Sequence, residues 1–136
     1  AFGSVSDYNQ KASDNVCLLI QAETRAAIAD LDNILQVEGV DGVFIGPADL
    51  AADMGYLGKI DEPEVQNVIE GAIRKIVAAG KAAGILTFNE TYNKRYLELG
   101  ASFVAVGADV FEFSNVLRQL ASRYKGGTAV PKPSGY

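Results

Sequence analysis

Histidine and tryptophan are absent from the 136-residue sequence, and cysteine occurs once, as Cys17. Without histidine, a Ser-His-Asp or Cys-His relay, a His-ligated zinc site and an imidazole general base must come from another chain or be missing altogether. A lone cysteine excludes an intramolecular disulfide. Its place in an apolar run predicts a core position, a reducing compartment and therefore a cytoplasmic location. No apolar stretch reaches the roughly 18–20 residues that cross a bilayer, and the N-terminus lacks the basic-then-apolar order of a secretory leader, so neither membrane nor leader is expected. Basic residues are the minority, 12 against 17 acidic, for a net charge of −5. That balance argues against a nucleic-acid groove or an anionic membrane surface as partner.

Apolar residues make up 49% of the chain, enough to fill the core of one domain spanning residues 1–136. Residues 1–15 read as a loop with at most a helical turn. The run 16–22 is a candidate strand. From Glu23 to Gln36, Ala26, Ala27, Leu31, Ile34 and Leu35 recur at helical spacing. Val40 to Ile45 reads as a second strand, stopped by Gly46-Pro47, and Ala48 to Asp61 as a loop. Pro63 opens a helix whose apolar face runs from Val65 to Val77 and which Gly80 closes. Residues 83–88 form a third strand, Thr91 to Leu99 a helix ended by Gly100, Ser102 to Val106 a fourth strand, and Phe111 to Tyr124 a last helix. From Gly126 the tail should be irregular or extended. Four strand-then-helix units imply a parallel α/β sheet. A doubly wound sheet and part of a (β/α)₈ barrel both fit. A full barrel takes about 250 residues, so four units are about half of one. No phosphate-binding glycine motif follows any strand, which weakens the nucleotide-binding sheets.

Ligands of parallel α/β folds sit at the carboxyl ends of the strands. Those ends carry Gln21-Ala22-Glu23-Thr24, Gly46-Pro47-Ala48-Asp49, Thr87-Phe88-Asn89-Glu90 and Gly107-Ala108-Asp109. Neighbouring strands lie about 4.8 Å apart, which lets Glu23 and Asp49 meet at one point. Two converging carboxylates repel unless a hard cation lies between them, and oxygen ligands favour Mg²⁺ or Mn²⁺. Such an ion keeps positions open for a 2-oxo acid, and as a Lewis acid lowers the cost of an enolate by several kcal/mol. Spacing alone leaves a second reading standing, and it is the commoner arrangement. Glu23 or Thr24 caps the helix that follows, and Asp49 caps a turn at 50–54. Glu90 and Asp109 fit caps better still, Arg25 a first helical turn with its head in water, and Tyr92 and Tyr96 packing. Gly46 admits a close ligand and Pro47 stiffens the turn, leaving the amides of Ala48 and Asp49 for a substrate carboxylate.

Gln21 to Thr24, the long run Glu38 to Leu50, Asp53-Met54-Gly55, and Tyr96 to Gly107 together resemble the HpcH/HpaI aldolases, class II pyruvate aldolases that depend on a divalent metal. The resemblance covers essentially the whole chain. It implies a (β/α)₈ barrel of which this chain is the C-terminal half, units five to eight. It also implies Glu23 and Asp49 as metal ligands, Gln21, Ala48 and Asp49 as substrate contacts, and Mg²⁺ or Mn²⁺ as cofactor, with Co²⁺ a third candidate. The implied reaction is retro-aldol cleavage of a 4-hydroxy-2-oxo acid to pyruvate and an aldehyde.

The family's acid/base histidine and its arginine lie in the other half of the barrel, and nothing here matches them. No catalytic acid or base is therefore expected in this chain, which should be a poor aldolase alone. It is expected to be a piece of a longer barrel or one part of a split one. The partners implied are a small 2-oxo acid, the N-terminal half-barrel, and further copies of the chain, since the family forms hexamers of dimers with the last helix exchanged. Phe111, Leu117, Leu120 and Ala121 would form that helix's apolar stripe, unless it simply faces its own core. Two alternatives remain: an acyl-CoA lyase of the citrate lyase β or malyl-CoA lyase type, and a non-catalytic half-barrel assembly fragment.

Overall fold

The computed structural model of the chain describes residues 3–125, so the tail from Gly126 lies outside them. A short helix α1 (Tyr8–Lys11) and a 3₁₀ turn (Ser13–Asn15) lead into β1 (Leu19–Ala22). Then follow α2 (Arg25–Ala29), α3 (Leu31–Gln36), β2 (Gly42–Ile45), α4 (Pro47–Asp53), α5 (Pro63–Ala78), β3 (Ala82–Leu86), α6 (Glu90–Glu98), β4 (Phe103–Ala105) and α7 (Asp109–Tyr124). The strands form one parallel sheet in the order β1-β2-β3-β4. Doubly wound sheets reverse their strand order at a switch point, whereas barrels add strands in sequence. The observed order is that of a barrel segment.

Side-chain alternation divides the sheet into two faces. Val43, Ile45, Ala83 and Ile85 are fully buried on one of them. There they meet α5, whose Val65, Ile69, Ala72, Ile73 and Ile76 recur at helical spacing. Each fully buried aliphatic side chain contributes about 1.5–3 kcal/mol. Gln21, Phe44, Gly84 and Phe103 lie side by side on the opposite face. Phe44 and Phe103 meet edge to face, 5.6 Å between centroids. Gly84 makes room for them, because a Cβ there would lie 2.7 Å from Cδ2 of Phe44. This second face is the open one, and Phe103 remains 53% exposed.

Several expectations are corrected. β1 begins at Leu19 and Cys17 is exposed, so its thiol is not part of the core. The helix expected from Glu23 to Gln36 is broken at Asp30 (φ −90°, ψ 7°). The Asp30 side chain there accepts from Asn33 Nδ2, the local competition with helical bonding that short polar side chains offer. The segment expected as a loop from Ala48 is helical as α4 to Asp53, with Pro47 in its first turn and Leu50 and Ala51 buried. Glu90 does not cap α6. Asn89 does, its Oδ1 accepting from Thr91 N and Tyr92 N, while Glu90 pairs with Lys94. Among the described residues, Asp109 Oδ1 accepts only from the adjacent Val110 N, and Ala108 stands at the cap position of α7. Tyr92 and Tyr96 do stack, 6.1 Å between centroids. Burial pushes the Tyr96 phenol up to about 12 while its hydroxyl donates to Gln66 Oε1 at 2.8 Å.

Helices α5 and α6 are joined at Glu70, which accepts from Arg95 Nε and Nη2, each at 3.0 Å, and from Arg74 Nη2 at 2.7 Å. The Arg95 hydrogen bond, more than the Arg74 one, holds the Glu70 carboxyl below its ordinary value of 4.5 although burial opposes it. A carboxyl depressed in the folded state stabilises above its unfolded pKa, and that stability disappears as pH falls through the lower folded value. Glu70→Gln should therefore be about 1 kcal/mol less stable than the parent at neutral pH. Urea unfolding at a series of pH values below 4.5 should show the difference shrinking.

Candidate active site

The carboxyl ends of β1 and β2 lie together. Ala22 pairs with Ile45, so Glu23 stands opposite Gly46, and Gly46 N donates to Ala22 O at 3.1 Å. Alternation puts Gln21 and Glu23 on the open face with Phe44. Gln21 Nε2 donates to Glu23 Oε2 at 2.5 Å, which leaves the amide oxygen of Gln21 as an acceptor. Gly46 has a reason to lack a side chain. A Cβ there would lie 2.9 Å from Glu23 Cβ, 3.0 Å from Glu23 Oε2 and 3.3 Å from Gln21 Nε2. The space on the Cβ side of Gly46 is thus taken by the chain's own Glu23 and Gln21.

The capping alternative for Glu23 is settled by its neighbour. Thr24 caps α2, its Oγ1 accepting from Ala27 N at 3.1 Å, and Glu23 has no part in it. Asp49 is exposed in the first turn of α4 and accepts no hydrogen bond from another described residue. The first intrahelical bond of α4 runs from Leu50 N to Gly46 O at 3.0 Å. The amides of Ala48 and Asp49 precede it and have no partner within the helix. Glu23 and Gln21 thus stand at the carboxyl end of β1, and Asp49 and these amides in the first turn of α4, just past the adjoining end of β2. Thr87 and Asn89, at the end of β3, are engaged locally, Asn89 N donating to Thr87 Oγ1 at 3.1 Å.

Arg25 lies in the first turn of α2 with its head largely exposed, as expected, and it also meets Asp53. Its Nε lies 3.3 Å from Asp53 Oδ2, and its backbone N donates to the same oxygen at 2.8 Å. The backbone hydrogen bond chiefly holds the Asp53 carboxyl below its ordinary value. Sequence reasoning missed this link, because nothing in the spacing of residues 25 and 53 announces it.

A donor set of Glu23 and Asp49 would be all oxygen and would carry two charges. Among the described residues no group of three or more His, Cys, Asp or Glu is placed so that it could hold a metal ion by itself. A hard divalent ion fits such a set, since Mg²⁺ is commonly held by one or two carboxylates with substrate and water completing the shell. Among the described residues no helix is long and apolar enough to cross a membrane.

Comparison with known proteins agrees with the parallel, barrel-like strand order. The chain is 80% identical over 137 residues to the hydroxypyruvate/pyruvate aldolase of Agrobacterium fabrum, matching 100% of this chain and 52% of that protein. It is 56% identical over 132 residues to the 4-hydroxy-2-oxo-heptane-1,7-dioate aldolase of Shigella sonnei, covering 97% of this chain and 50% of that one. Among solved structures, an HpcH/Hpal aldolase/citrate lyase family protein from Burkholderia cenocepacia superposes with a TM-score of 0.83 at 33% identity, over 92% of this chain and 49% of that chain. The chain spans about half the length of the curated relatives it matches. Its sheet is accordingly about half of a TIM-barrel-type fold. The family model for HpcH/HpaI aldolase/citrate lyase matches residues 3–116, and the chain belongs to that family.

Proposed function

We propose that this chain is the metal-binding half of a lyase that cleaves a 4-hydroxy-2-oxo acid to pyruvate and an aldehyde. The observation that carries the proposal is the shared corner of β1 and β2, where Glu23 stands opposite Gly46, freed of capping by Thr24, and Asp49 opens α4 beside it. Glu23 and Asp49 would hold Mg²⁺ or Mn²⁺, or Co²⁺. When bound, such an ion polarises the keto oxygen of an oxo acid. Gln21 restrains the Glu23 carboxylate through its amide nitrogen and offers its amide oxygen to the substrate side. The amides of Ala48 and Asp49 are donors suited to the substrate carboxylate. The printed names of the relatives, aldolases of hydroxypyruvate/pyruvate and of 4-hydroxy-2-oxo-heptane-1,7-dioate, support the same substrate class.

Proton transfer falls outside these residues, because the sequence holds no histidine and the corner no other acid or base suited to it. Positioned acid–base groups are typically worth 10²–10⁴-fold, so the chain alone should be slower than the complete barrel by about that factor. The remaining half of the barrel is the proposed partner along the outer edges of β1 and β4. Self-association is the second proposed contact, through α7. There Leu117 and Leu120 are 48% and 46% exposed and no residue is buried, contrary to a helix that faces its own core. Pyruvate release from a 4-hydroxy-2-oxo acid, followed with Mg²⁺ or Mn²⁺ present, tests the function. Mixing the chain with a family N-terminal half-barrel should raise the rate, and no gain with either metal would contradict the proposal.

A further inference from the structure

Two bonds close a small ring around the corner just described. At one end Gly46 N donates to Ala22 O, and at the other Arg25 N donates to Asp53 Oδ2. Glu23 lies between Ala22 and Arg25 on one side of the ring, and Asp49 lies between Gly46 and Asp53 on the other. Asp49 and Asp53 are four residues apart on α4, hence on one helical face, where two like charges ordinarily repel. Asp53 is instead engaged by Arg25. Arg25 N belongs to the first turn of α2 and has no acceptor within that helix.

We propose that Asp53 is a positioning residue, which fixes the separation of the Glu23 and Asp49 carboxylates by tethering the β1–α2 turn to α4. The inference rests on Glu23 and Asp49 being the ligands proposed above. The backbone hydrogen bond carries the tether. The guanidinium contributes little, because ion pairs this exposed are worth at most about 1 kcal/mol. The tether governs which ion the corner accepts. Mg²⁺ demands near-ideal geometry at about 2.0–2.1 Å, whereas Ca²⁺ tolerates about 2.3–2.6 Å and irregular shells. A loosened corner thus loses Mg²⁺ and keeps Ca²⁺, while a generally weakened fold loses both alike.

The test is calorimetric titration of the full chain with Mg²⁺ and separately with Ca²⁺, with the folded fraction checked by circular dichroism. Asp53→Ala should lower Mg²⁺ affinity about tenfold and Ca²⁺ affinity less than about threefold. Asp53→Asn keeps an acceptor for Arg25 N and should restore Mg²⁺ affinity to within about threefold of the parent, as should Arg25→Ala, which keeps the amide. Should Asp53→Ala not fold, Asp53→Ser takes its place with the same expectation, its hydroxyl standing back from Arg25 N. Equal losses of both ions, no loss, or failure of Asp53→Asn to rescue would overturn the tether. Glu23→Gln distinguishes the two layers. If it abolishes Mg²⁺ binding while Asp53→Ala does nothing, only the tether fails. If Glu23→Gln itself leaves binding intact, the ligand assignment fails as well.

Discussion

Glu23→Gln should lower the affinity of the chain for Mn²⁺ by about 100-fold or more. Groups that merely orient a metal ligand cost about 10–100-fold when removed, and Glu23 would be one of only two charged ligands. The substitution removes charge but hardly volume. In the folded chain Glu23 accepts a hydrogen bond from Gln21 and plays no part in capping α2, which Thr24 performs. Folding stability should therefore change by no more than about 0.5 kcal/mol, the usual range for substitutions outside a core or cap. Asp49→Asn should behave alike, since Asp49 is exposed in the first turn of α4. Mn²⁺ titration by electron paramagnetic resonance, paired with urea unfolding of the same samples, measures both quantities. Lost stability with unchanged Mn²⁺ affinity would mean that the two carboxylates serve the fold.

Gly46→Ala should produce the second large effect, on the site and the fold together. Its new Cβ would meet Glu23 Cβ at 2.9 Å. That atom is attached directly to the backbone and cannot swing aside as the end of a long side chain does. The end of β1 must retreat from β2, carrying Glu23 with it. Overpacking of this kind costs about 1–3 kcal/mol. Displacing Glu23 should also lower Mn²⁺ affinity at least about tenfold, as loss of ligand orientation does. Gly71→Ala is the matched control. Gly71 lies within α5, and a Cβ there meets nothing within 4 Å. It should raise stability by about 0.5–1 kcal/mol and leave Mn²⁺ binding alone. If both substitutions acted alike, the close approach of Gly46 to Glu23 would have no functional weight.

Most of the parallel architecture was legible in the sequence, because continuous apolar runs between helical patterns have few other solutions. The α5 stripe and Pro63 marked that helix without ambiguity, and the structure places it at Pro63–Ala78. α4 is concealed in the sequence because Gly46-Pro47 and the glycines at 55 and 58 suggest a loop. The usable signal was Pro47 at a first helical position followed by alanine and leucine, with Gly55 (φ +89°) just past the end. The break at Asp30 was hidden because the apolar spacing runs straight through it. The apolar neighbours of Cys17 point to the core, although the strand starts only at Leu19 and the thiol is exposed.

At the candidate site, spacing brought Glu23 and Asp49 to adjacent strand ends but left capping open. The sequence offers Glu23 and Thr24 alike as the cap of α2, and the structure assigns it to Thr24, whose Oγ1 accepts from Ala27 N. The Asp53 link to Arg25 N was out of reach, since it joins residues 28 apart through a backbone amide.

Proton–nitrogen NMR of the labelled chain with substoichiometric Mn²⁺ tests the central claim most directly, because paramagnetic broadening falls off steeply with distance from the ion. The account predicts that the amide signals of residues 21–24, 46 and 48–50 broaden first and together, and that the methyl signal of added pyruvate broadens only with chain and Mn²⁺ both present. Broadening scattered over surface carboxylates such as Glu38, Glu62 and Glu98, with residues 23 and 49 no more affected than these, would contradict it.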